Sequence, residues 1–118
     1  MTSTAGRRVL IVEDDYYLAT DAQQALEASG FSVLGPFPEP HEAIKFIENE
    51  DVDCALVDIN LGQGPSFRVA QALQAKAIPF AFVTGYDSPT IPSKFAEVIR
   101  VEKPFTERGL IETVTKLM

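Results

Sequence analysis

A chain of 118 residues with 46% hydrophobic content can bury one real core, and its charged fraction of 23% is ordinary for a soluble globular domain. The formal net charge of −7 argues against binding nucleic acid, which needs basic contacts to phosphate, and against docking on anionic membrane lipid. One cysteine, Cys54, excludes an intramolecular disulfide, no apolar stretch approaches a membrane span, and residues 1–6 lack an apolar signal core, so a reducing cytoplasm is the expected compartment.

The first apolar run, Val9-Leu10-Ile11-Val12, reads as a buried strand and leads into the acids Glu13, Asp14 and Asp15. Asp15 can cap a helix over 16–29 whose inward stripe is Leu18, Ala22, Ala25 and Leu26, with Gly30 as its stop. Residues 31–35 read as a second strand, less apolar and ended by Pro36 and Pro38, as suits a sheet edge. Pro40 opens a helix over 40–50 with Ile44 and Ile47 inward. The third strand, Cys54-Ala55-Leu56-Val57, delivers Asp58.

Gly62-Gln63-Gly64-Pro65 is a loop, and Ser66 can cap a helix carrying Val69, Ala70 and Leu73 on one face. Pro79 precedes the fourth strand, Phe80-Ala81-Phe82-Val83, which delivers Thr84. Residues 87–96 hold Pro89 and Pro92 and predict a short or frayed helix. The fifth strand, Val98-Ile99-Arg100-Val101, ends near Glu102 and leads to Lys103. Thr106 can cap a last helix whose inward residues are Leu110, Ile111, Val114 and Leu117. No linker, repeat or second domain is visible, so residues 1–118 read as one domain.

Strict alternation of five strands and five helices predicts an α/β doubly wound domain. Right-handed crossovers and the weakly apolar second strand favour the flavodoxin-like order 2-1-3-4-5, with helices on both faces. Parallel strands end on one edge, so the acids, Asp58, Thr84 and Lys103 should meet there. Crowded carboxylates repel, and a hard divalent cation relieves that repulsion. Glu13, Asp14 and Asp58 offer oxygen ligands suited to Mg²⁺, with no thiolate or histidine cluster for zinc. A carboxylate can also attack phosphorus, while a lysine and a hydroxyl bind the transferring oxygens. Each residue alone has an ordinary reading: helix start, turn, strand-ending turn, surface lysine. Their joint placement at four strand ends outweighs those readings.

Val9-Leu10-Ile11-Val12-Glu13-Asp14-Asp15, Val57-Asp58-Ile59-Asn60-Leu61-Gly62, Thr84-Gly85 and Lys103-Pro104-Phe105 together resemble a bacterial two-component response-regulator receiver domain, over essentially the whole chain. The resemblance implies that Asp58 accepts a phosphoryl group from a phosphohistidine on a partner kinase. It implies Mg²⁺ ligation by Asp14 and Asp58, with Glu13 acting mainly through water and the Asn60 backbone carbonyl completing the site. Lys103 would bridge to the phosphoryl group and to an acid, Thr84 would move toward the phosphate, and the bond to Pro104 would be cis. Beyond self-catalysed phosphoryl transfer and slow autodephosphorylation, no enzyme activity is implied. The implied partners are a histidine kinase or phosphotransfer protein and a downstream protein target.

Most receivers carry Tyr or Phe three residues before the lysine, where this chain has Arg100. A guanidinium does not suit that inner pocket, which calls the usual threonine–aromatic coupling into question. Arg100 reads equally as a solvated charge or as a partner-facing residue. Phe82-Val83-Thr84-Gly85-Tyr86 resembles a receiver subgroup with a Phe-Ala-Thr-Gly motif, whose members often work with kinases of the HWE type. Tyr86, two residues past Thr84, would shield the acyl phosphate or replace the missing ring, or else be a half-exposed loop tyrosine. His41, near the start of the second helix, reads as a surface histidine.

Two other functions compete. A haloacid-dehalogenase-type hydrolase needs a carboxylic acid two residues after the nucleophile, where Asn60 stands. A scaffold pseudo-receiver that is never phosphorylated would not need the full set of acids, threonine and lysine, though Arg100 keeps that reading open.

Overall fold

The apolar runs become the strands of one sheet. The computed structural model describes residues 6–59, 67–85 and 91–118. Its elements are β1 (Arg8–Val12), α1 (Tyr16–Ala28), β2 (Ser32–Phe37), α2 (Pro40–Asn49), β3 (Cys54–Asp58), α3 (Arg68–Ala75), β4 (Phe80–Thr84), a 3-10 turn (Ser93–Phe95), β5 (Ile99–Glu102) and α4 (Glu107–Leu117). The sheet order is β2-β1-β3-β4-β5, with every neighbouring pair parallel. This is the flavodoxin-like order expected of the sequence. All five residues of β3 and all five of β4 are buried, whereas β2 buries none, which is why β2 tolerates the edge.

Both faces of the sheet carry core. On one, Leu10, Val57, Phe80 and Phe82 pack with Ala43 and Ile47 of α2, Val69 and Leu73 of α3, and Phe95. On the other, Ile11, Cys54, Leu56 and Val83 pack with Ala22 and Leu26 of α1 and Leu110 and Val114 of α4. Four rings cluster on the first face. Phe67 stacks on Phe95 at 5.8 Å and 17°, and Phe82 meets both rings edge-on.

The helix ends follow local chemistry. Asp15 caps α1 by accepting from the backbone N–H groups of Tyr17 and Leu18. After α1, Gly30 takes φ +92° and the Phe31 N–H returns to the Leu26 carbonyl, a left-handed stop. The inward stripe of α1 includes Ala19, while Leu18 is only half-buried. In α2, Ala43 and Ile47 are buried and Ile44 is half-buried. In α4, Thr106 caps through Gly109 N–H at 3.0 Å, and Leu110 and Val114 are buried, with Ile111 and Leu117 half-buried.

Three expectations are corrected. The second strand does not end at Gly35 but runs to Phe37 through a cis Gly35–Pro36 peptide, because an edge strand can give up one donor. Gly35 sits at φ +95°, and a Cβ there would lie 2.7 Å from the Phe37 nitrogen. The short helix expected over 87–96 is, among the described residues, a single 3-10 turn behind Pro92. The described residues therefore form four α-helices rather than five. The N-cap of α3 is Phe67, with no side-chain cap bond. The expected cap Ser66 and the loop from Gly62 to Pro65 lie outside the described residues, as do Asn60 and Tyr86.

Candidate functional site

The sheet order makes neighbours of residues far apart in sequence. Glu13 follows β1 by one residue, Asp58 ends β3, Thr84 ends β4 and Lys103 follows β5 by one. Val12 pairs with Val57, Asp58 with Val83, and Thr84 with Glu102, so these strand ends lie level at one edge. The Glu13 N–H donates to the Phe37 carbonyl at 3.0 Å, which continues the β1–β2 ladder and fixes the backbone from which the acids project.

Oxygens of Glu13, Asp14 and Asp58 all lie within 4.8 Å of one another. Glu13 is 6% exposed and Asp58 3%, whereas Asp14 is open to solvent. Lys103 reaches back from the edge strand. Its Nζ lies 2.9 Å from Asp58 Oδ2, and 3.1 Å and 3.2 Å from the two oxygens of Glu13. Only a long side chain spans that distance, and its backbone is pinned where the Lys103 N–H donates to the Thr84 carbonyl at 2.7 Å. Thr84 is buried, and with Gly85, Glu102 and Lys103 it lines an open cavity beside the ammonium. The Lys103–Pro104 peptide is cis, as expected.

Burial, then the hydrogen bond to Asp58 and its negative charge, push the Glu13 carboxyl up to about 8, against the opposing pull of the Asp15 N–H and Lys103. Burial works to lower Lys103, but the hydrogen bond to Asp58 and the charges of Glu13 and Asp58 outweigh it and raise Lys103 above its ordinary value. The ammonium therefore stays charged among the carboxylates. Three hard oxygen donors, one of them facing water, suit a cation that keeps part of its hydration shell. A cation held there would offset the burial and the Asp58 charge that raise the Glu13 carboxyl.

The structure thus brings together Glu13, Asp14, Asp58, Thr84 and Lys103. Arg100 lies exposed on β5, paired in register with Phe82, away from this cluster. Two supporting features were missed in the sequence: the Asp15 amide, which donates to Glu13 Oε2 at 3.1 Å, and Gly35 at the β1–β2 contact. Gly-Pro within a strand pattern is the signal that could have found the second. The first has no sequence signal beyond the cap itself.

Among the described residues no helix is long and apolar enough to cross a membrane. The transcriptional regulatory protein PdtaR of Mycobacterium tuberculosis is 23% identical over 92% of this chain and 55% of its own length. The phyllosphere-induced regulator PhyR of Methylorubrum extorquens is 26% identical over 93% of this chain and 43% of its own length. The chain thus spans about half the length of these curated relatives. The solution structure of SdrG from Sphingomonas melonis Fr1 superimposes with a TM-score of 0.85 at 32% identity, covering 98% of both chains. The BeF3-activated conformation of SdrG from Pseudomonas melonis Fr1 superimposes with a TM-score of 0.80 at 33% identity, again over 98% of both chains. Residues 9–115 match the response regulator receiver domain family, and with the sheet order and the acid–lysine edge on the page, the chain belongs to that family.

Proposed function

We propose that this domain is the phosphoacceptor of a two-component phosphorelay, with Asp58 as the residue that takes the phosphoryl group. The observation that carries this reading is the contact of Lys103 Nζ with Asp58 Oδ2 at 2.9 Å, inside a cluster whose acids converge from β1 and β3. A carboxylate oxygen of Asp58 forms the new P–O bond, and the P–N bond of the donor phosphohistidine breaks, its electron pair staying on the imidazole nitrogen. Lys103 moves from the free carboxylate to the phosphoryl oxygens without leaving the site. Thr84, at the lip of the adjoining cavity, donates its hydroxyl to one of them.

Glu13, Asp14 and Asp58 would hold Mg²⁺, which when bound supplies positive charge to the transferring oxygens. Buried Glu13 balances that charge, and exposed Asp14 keeps one side open to water. The donor is a histidine kinase or phosphotransfer protein in the cytoplasm, and the phosphorylated surface is read by a downstream protein. The domain turns over no substrate beyond its own phosphorylation and slow dephosphorylation. Activation of SdrG by BeF3, a fluoride analogue of a phosphoryl group, supports the same chemistry here.

The test is intact-mass detection of phosphorylation by a small acyl-phosphate donor, with and without Mg²⁺. One adduct is expected, absent in Asp58→Asn and absent without the metal. A folded, Mg²⁺-binding protein that takes no phosphoryl group from this donor or from its own kinase is a scaffold, and the proposal falls.

A further inference from the structure

Asp15 makes two sets of contacts that the phosphoacceptor reading does not use. Its Oδ1 accepts from the backbone N–H groups of Tyr17 at 3.0 Å and Leu18 at 3.1 Å, capping α1. Its own N–H points the other way and donates to Glu13 Oε2 at 3.1 Å. That same oxygen accepts from Lys103 Nζ at 3.2 Å. The cap holds residue 15 in an extended conformation, φ −77° and ψ 113°, which a helical residue 15 could not adopt.

We propose that Asp15 is a positioning residue: by capping α1 it fixes the backbone donor that orients the Glu13 carboxylate toward Asp58 and Lys103. The Glu13 side chain has three rotatable bonds. Its backbone is tied to Phe37 on the strand side, and the residue-15 amide ties its carboxylate on the helix side. Loss of the cap frays the first turn, turns that amide to water and frees one ligand of the cluster. Partners of metal ligands act in this way, by holding a ligand in its binding orientation. For the metal, the proposal rests on the Mg²⁺ reading above.

The test compares Asp15→Ala with Asp15→Asn, since asparagine caps as well as aspartate but carries no charge. Three quantities are measured on the intact chain: Mg²⁺ affinity by calorimetry, the Glu13 side-chain carboxyl ¹³C resonance, and hydrogen exchange of the residue-15 amide. Asp15→Ala should weaken Mg²⁺ binding ~10-fold or more, move the Glu13 resonance and speed amide exchange. Asp15→Asn should stay within about threefold of the unsubstituted protein, because the cap survives. If Asp15→Ala does not fold, Asp15→Gly takes its place: it removes the side-chain acceptor at a smaller cost to the helix, and the same three changes are expected in smaller degree.

An alanine variant that melts earlier yet binds Mg²⁺ normally, with an unmoved Glu13 resonance, reduces the cap to helix stability and overturns the proposal. An asparagine variant as weak as the alanine variant shows that charge matters rather than the cap, and also overturns it. If the unsubstituted protein binds no Mg²⁺, the metal reading fails separately. The Glu13 resonance and residue-15 exchange then decide: moved in alanine but not in asparagine supports the positioning role, and unmoved in both refutes it.

Discussion

Glu13 is the residue where burial and function pull hardest against each other. Its carboxyl rises from 4.5 to about 8 because it is buried beside Asp58. The folded protein therefore holds this proton more tightly than the unfolded chain does. The stability it contributes is complete below 4.5 and is lost as pH climbs through about 8. Without metal, the melting temperature should fall across that window. On the proposed metal reading, Mg²⁺ would displace the same proton, so the stabilisation it gives should grow over the same window. Thermal melts with and without Mg²⁺ check both, and Glu13→Gln should flatten the metal-free profile. A profile already flat in the unsubstituted protein rules the effect out. Glu13 was legible as a member of the acid cluster because an acid follows an apolar run. Its burial and its elevated carboxyl were not, since both depend on Asp58 and on packing that the chain supplies far away in the sequence, against the opposing pull of Lys103. Cys54, read as an inert buried hydrophobe, is that: burial, with the charge of Asp53, pushes its thiol up to about 12.

At the scale of elements, the strands were the clearest part of the sequence. Continuous apolar runs can only sit between two covered faces, and β3 and β4 are buried throughout. The Asp15 and Thr106 caps were legible because their side chains act locally. Where tertiary contacts decide, the sequence was less informative. Gly35–Pro36 looked like a strand end, yet the pairing of β2 with β1 carries the strand on to Phe37. The 3-10 turn and its buried Phe95 looked like a frayed helix, because nothing local shows that Phe95 packs among Phe67, Phe80 and Phe82. That ring cluster joins the start of α3 to the turn after β4. Phe95→Ala should destabilise the fold by about 3–5 kcal/mol, as for other buried phenylalanines, and half-buried Phe67 should cost less when truncated. Urea titration checks the order. An equal or reversed cost would show that the difference in burial does not set what each ring contributes.

For the molecule as a whole, one sheet carries core on both faces, so neither face can lose its cover without exposing strands shared with the other. The Cα radius of gyration of 12.9 Å is close to the ~13 Å of a compact domain of this length. Unfolding should therefore be a single transition, coincident by circular dichroism and by tyrosine emission. Separated midpoints would divide the chain into two units. The order of the sheet was legible from the alternation of elements and the polar second strand. The gathering of Glu13, Asp14, Asp58 and Lys103 at its edge was legible because parallel strands bring their ends together.

The tyrosines give the domain an optical character. The chain has three tyrosines and no tryptophan. Tyr16 and Tyr17 stand on the first turn of α1, 74% and 78% exposed, with their rings edge-to-face at 5.6 Å. Tyr86 follows Thr84 by two positions in the sequence. The near-ultraviolet emission of the protein therefore arises from phenols that closely follow the acids or Thr84 in sequence. A change of charge at the acids should therefore be readable in this emission without a label, and a tyrosine signal unmoved by such a change would rule that out.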